Sequence, residues 1–165
     1  MGSIEGVLDT RSAWIGEHEV VKVTFAPAVV TYDALLKVAA EKGCATRAWT
    51  TTEAQANGAR MRLGELATAL TEDPRDAKES DQLYYLRDTA MRYLPLTPLQ
   101  ARRVNGALFQ AKNPEKWLSP GQIALLDLVE TKVGKHATAL KGLVRPTKIN
   151  ELASYSRKLK KALTK

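Results

Sequence analysis

At 165 residues and 44% apolar content, the chain can bury one core and carry a further helical segment, and no run approaches the ~18 uncharged apolar residues of a membrane span. A single cysteine, Cys44, rules out an intramolecular disulfide or cysteine-rich zinc site, and His18 and His136 stand far apart without metal-ligand spacing, so neither a metal nor a cofactor is expected. The net charge of +7 is unevenly placed: from Lys132 onward ten Lys/Arg face one acid, Glu151, while the rest of the chain holds 15 Lys/Arg against 17 Asp/Glu, so the basicity is expected in the tail and the preceding folded part is expected to be close to neutral.

Gly6–Ser12 and Glu19–Phe25 alternate polar with β-branched or aromatic residues and predict two half-buried strands joined at Gly16-Glu17. Pro27 has no N–H to give a ladder and ends the pairing. Thr31 then caps a helix over Tyr32–Glu41, whose apolar residues recur at helical spacing and which Gly43 closes. Ala45–Thr51 returns to strand composition, and Thr52-Glu53 opens a helix expected to reach roughly Leu70. This order fits an α+β domain of truncated ferredoxin-like kind, an open sheet with helices on one face, over residues 1–70.

Residues 71–81 are polar and aperiodic and predict a linker or surface loop. Residues 82–165 predict a helical extension with a basic tail. Thr97-Pro98 sets an N-cap and a proline at the first helical position, and the same pattern returns at Leu118-Ser119-Pro120, ahead of a helix running through Val129 or beyond. A last helix starts at Thr147 or Asn150, with Ile149, Leu152, Tyr155, Leu159 and Leu163 on one stripe and Arg157, Lys158, Lys160 and Lys161 on the rest.

The stretch GEHEVVKVTFAPAVVTYDALLKV, with TRAWTTTEAQANGAR beyond it, resembles the middle of the peptide methionine sulfoxide reductase A family over residues 5–60, where turn, strand, proline and helix follow in the same order. The resemblance implies a thiol reductase in which a cysteine on the first strand attacks the sulfoxide sulfur and a carboxylic acid protonates the oxygen. Glu19 matches the family's glutamate. Trp14 stands where a tyrosine is expected, Ala26 replaces an aspartate, and the loop before the second matching strand is shortened to Gly43-Cys44-Ala45. The family's nucleophile would fall before Gly6, where five residues stand.

These departures favour a degenerate reductase-like domain serving as a non-catalytic structural or interaction subunit. It would dock to a protein partner or larger assembly, with RNA as an alternative, through Lys148, Arg157, Lys158, Lys160 and Lys161. If the chain is an enzyme, it is a thiol oxidoreductase working through Cys44 and Glu19; lone cysteines are more often inert. A third reading is nucleic-acid binding through the basic tail. Tyr84, Tyr85, Tyr93, Trp117 and Trp49 are scattered in sequence and are expected to fill cores or pack helices rather than to stack on bases. His136 is expected to be exposed. With no membrane span and no secretory leader, a soluble intracellular protein of cytoplasm or organelle matrix is expected.

Overall fold

The alternating segments near the start of the chain form a hairpin. In the computed structural model, which describes residues 1–164 and all their side chains except those of Ser80 and residues 133–139, β1 (Val7–Ile15) pairs antiparallel with β2 (His18–Phe25). Gly16, at φ +55°, makes the turn. The register sets Trp14 opposite Glu19 and Ile15 opposite His18. His136, expected to be exposed, lies among the side chains outside those described.

Helix α1 (Tyr32–Glu41) begins where Thr31 accepts a hydrogen bond from the Ala34 N–H through its side chain. It ends in a left-handed turn at Gly43 (φ +66°), with the Cys44 N–H donating to the Ala39 carbonyl at 2.8 Å. Strand β3 (Ala48–Thr50), helix α2 (Glu53–Leu63) and strand β4 (Ala67–Ala69) form a β-α-β unit whose two strands run parallel. Helix α2 stops at Leu63 rather than near Leu70: Gly64 takes φ +57° and the chain turns through a short 3-10 segment into β4. A bidentate ion pair, Arg62 to Asp33 at 2.8 and 2.9 Å, ties α2 to α1.

The strands therefore divide between two sheets instead of joining one. Residues 71–81 are not simply a loop, because β5 (Arg75–Asp76) pairs with Trp14 and Ala13 and gives a three-stranded sheet of order β2-β1-β5. Gln82, 3% exposed, continues that pairing with its side chain: the amide accepts from the Ser12 N–H and donates to the Ser12 carbonyl, at 3.0 and 2.9 Å. Composition could not reveal this, since the partner lies seventy positions away.

Beyond it come helices α3 (Tyr84–Arg87), α4 (Pro98–Phe109), α5 (Pro120–Leu140) and α6 (Leu152–Leu163). The fold is thus α+β, with a small antiparallel sheet, a parallel strand pair and six α-helices among the described residues. Its contacts gather into two compact units, Ser3–Gln82 and the chain from Leu83 onward. No helix of the described residues is long and apolar enough to cross a membrane.

The second unit has the larger core, built from Leu86, Leu94, Leu96, Val104, Val129 and Leu159 among others. Two matching caps organise it. Thr97 and Gln100 form a capping box at the start of α4, and Ser119 and Gln122 form another at the start of α5. The two glutamines also bond to each other, Gln100 Nε2 to Gln122 Oε1 at 2.9 Å and Gln122 Nε2 to Gln100 Oε1 at 3.2 Å. Each Nε2 then reaches the carbonyl two residues before the other's cap, Trp117 for Gln100 and Pro95 for Gln122. The repeated Leu-(Thr/Ser)-Pro-x-Gln motif thus closes a pseudo-symmetric polar clasp in which both side-chain amides are satisfied.

Candidate functional site

An open cleft of about 590 Å³ in the first unit is walled by β2 on one side and by α1 and the segment into β3 on the other. Both Glu19 and Cys44 line it, so the two residues expected to matter in an enzyme share one space. The structure does not join them by a hydrogen bond. Glu19 is exposed on the sheet-edge strand β2 and makes no side-chain hydrogen bond or ion pair among the described residues. Cys44 is exposed and directs its Sγ at the Lys42 carbonyl, 3.4 Å away.

The setting of that thiol follows from the helix before it. Gly43 and Cys44 terminate α1, where unsatisfied carbonyls collect and favour cations; activated cysteines sit at the opposite, amide-bearing end of a helix. The Met1 ammonium lies close enough to register the thiol: burial lowers its pKa, and Cys44 raises it by a smaller amount. Tyr32, which sequence reasoning assigned only to a helix face, also lines the cleft, and burial pushes its phenol up, keeping it a neutral donor. On the rim, the Trp49 ring lies 5.5 Å from that of His18 and has the Arg47 guanidinium 5.7 Å from its centre.

In the second unit four of the five expected docking residues lie on α6 and the fifth precedes it, while Ile149, expected on the apolar stripe, is 66% exposed in the turn before the helix. Tyr155, Leu159 and Leu163 bury one face of α6 in the core, and the Tyr155 hydroxyl donates to the Tyr93 carbonyl at 2.9 Å. Arg157, Lys158, Lys160 and Lys161 stand exposed on the rest of the helix, with Lys148 exposed just ahead of it. None of the five forms an ion pair among the described residues. The basic segment is thus a docked helix and not a free tail.

Burial pushes the Tyr155 phenol up to about 12; Arg145 and Arg92 draw it down and Tyr93 adds to the rise. Arg92 and Arg145 therefore bring positive charge to the same part of the bundle as α6.

The neutrality expected ahead of Lys132 holds within this unit too, where residues 83–131 carry six Lys/Arg against four Asp/Glu, a net +2. Residues 83–165 carry 16 Lys/Arg against five Asp/Glu, a net +11, whereas residues 1–82 carry nine against 13, a net −4. Most of that +11 comes from residue 132 onward, a net +9.

The aromatic residues also differ from expectation. Tyr84 and Tyr85 are 53% and 42% exposed, and Phe109, which the spacing of Leu99, Val104, Leu108 and Phe109 places on the apolar side of α4, is 47% exposed. Tyr93, Trp117 and Trp49 are half-buried, nearer their expected packing role. The charged groups of Arg103 and Lys116 lie 4.4 and 4.7 Å from the Trp117 ring centre.

Neither any family model, any curated protein nor any solved structure matches the chain.

Proposed function

We propose that the chain is a non-catalytic interaction subunit whose second, basic unit docks on an anionic partner. One observation carries this reading: α6 is anchored by Tyr155, Leu159 and Leu163 while Lys148, Arg157, Lys158, Lys160 and Lys161 face water without ion-pair partners. Clustered cations on a rigid helix repel one another, and an incoming anion relieves that repulsion without ordering the helix again. The −4 balance of residues 1–82 makes the second unit the natural place for such an anion.

The test uses the full chain and two labelled polyanions, polyglutamate and a single-stranded oligonucleotide. Docking predicts that at least one binds, and that affinity falls with salt as counterions are released, by about a hundredfold between 50 and 200 mM for about four contacts. The variant R157E/K158E/K160E/K161E, with an unchanged circular dichroism spectrum, should lose most of that binding and most of its salt dependence. Equal binding by the variant contradicts the proposal.

A second reading draws on the cleft shared by Cys44, Glu19 and Tyr32. In it the Cys44 sulfur attacks a sulfoxide, takes its oxygen as a sulfenic acid and releases the sulfide; an external dithiol then returns the thiol, becoming a disulfide and releasing water. Glu19 would lend the proton that the departing oxygen needs. Dithiothreitol-dependent turnover of a methyl sulfoxide, abolished in Cys44→Ser, supports it, and absence of turnover removes it. The position of Cys44 at the carbonyl end of α1 places this reading second.

A further inference from the structure

We infer that the anionic partner is a single-stranded nucleic acid, whose bases stack on an aromatic platform made by Tyr84, Tyr85 and Phe109 while its phosphates follow the basic side chains around it. The inference rests on the docking reading above and names the partner of that surface. The three rings are in consecutive contact, Tyr84 to Tyr85 edge-on at 5.3 Å and Tyr85 to Phe109 tilted at 5.2 Å, and each leaves about half its area to water. Leu99, Leu128, Val144 and Ile149 of this unit are exposed as well, but only these three aromatic rings are exposed in mutual contact among the described residues.

Two further observations bear on the platform. Leu83 and Ala111 are the only non-glycine residues at positive φ among those described, at +52° and +51°; Leu83 directly precedes the tyrosine pair and Ala111 follows Phe109 by two positions. Strained backbone on both sides of one exposed ring cluster marks where the fold gives up local comfort to present side chains. The Arg87 guanidinium lies 4.7 Å from the centre of the Tyr84 ring, the arrangement that continues a stack with a flat cation.

A chain of contacts leads from the platform to the buried side of α6. Arg92 donates to the Arg87 carbonyl at 3.1 Å and lies over the Tyr93 ring, and the Tyr93 carbonyl in turn accepts from Tyr155 of α6. Asp88, beside the platform, is paired with Arg87 at 3.4 Å. Flat rings interleaved with guanidinium groups on a unit of net +11 complement a strand of bases and phosphates; an acidic peptide would use the charge and leave the rings idle.

The experiment measures fluorescence anisotropy of a labelled oligothymidylate of about twelve nucleotides with the full chain. The same strand with abasic sites and polyglutamate of similar charge serve as the other probes. Tyr84→Ala/Tyr85→Ala, with an unchanged thermal melt, should weaken oligothymidylate binding by about tenfold or more while keeping the salt slope. The abasic strand should bind the unaltered chain about as weakly as oligothymidylate binds the double variant.

Equal affinity for the abasic strand, or no loss in the double variant, overturns the platform and leaves docking intact. Tighter binding of polyglutamate assigns the surface to an acidic protein and overturns the nucleic-acid inference. Failure of every polyanion to bind overturns both this inference and the docking proposal.

Discussion

At the scale of single residues, Tyr155 both anchors α6 in the core and reports its environment. In the folded chain it holds its proton up to about pH 12, while the unfolded chain releases it near 10. Between those values the folded state binds more protons, so stability conferred by this phenol is complete below pH 10 and is lost as pH rises through the window. Denaturant titrations at successive alkaline pH should show this fall, and Tyr155→Phe should flatten it by one proton. At neutral pH the same substitution should cost about 1 kcal/mol through the lost hydrogen bond to the Tyr93 carbonyl. Ala111 offers a test of opposite sign. It is exposed and closes α4 at φ +51°, where an L side chain is strained, so Ala111→Gly should raise stability by about 0.5–1 kcal/mol in the same titrations. A loss would mean that the turn is not strained.

Among the elements, the clasp between the starts of α4 and α5 is the feature most open to measurement. Gln100→Ala removes the acceptor of the Thr97 N–H and two donors at once, leaving the Trp117 carbonyl and Gln122 short of partners. Each single substitution, Gln100→Ala or Gln122→Ala, should cost about 1–3 kcal/mol. The double variant should fall short of the sum by about 1 kcal/mol, because the second loss breaks bonds already gone. Additivity would show that the two caps work independently. These caps were legible in the sequence because every part of the signal, Thr97-Pro98 and Ser119-Pro120, is local to the first helical turn. The bond between the two glutamines was not, since nothing in either motif says that the other lies beside it. The same reasoning explains β5 and Gln82: two residues and one side chain added to a distant strand leave no periodic trace. The end of α2 at Gly64 was written in the sequence and outweighed by the helical composition that follows it.

Across the whole molecule, the division of charge gives the clearest functional signal, and its outline was readable from composition alone. The tail's positive charge and the stripe of Tyr155, Leu159 and Leu163 together predicted an amphipathic last helix, and α6 has that form. Exposure was harder to read. Tyr84, Tyr85 and Phe109 look like ordinary core residues in the sequence; Tyr84 and Tyr85 sit on a single-turn helix too short to have a periodicity. The meeting of Glu19 and Cys44 in one cleft depends on how a strand and a helix end approach each other, which no spacing rule encodes.

The most direct test of the docking account is a backbone amide NMR titration of the full chain with oligothymidylate. The account predicts shifts concentrated at Lys148, along the exposed side of α6 and at Arg87–Arg92, with the β2 and α1 walls of the cleft unmoved. Shifts confined to Glu19, Cys44 and their neighbours would contradict it and return the function to the cleft.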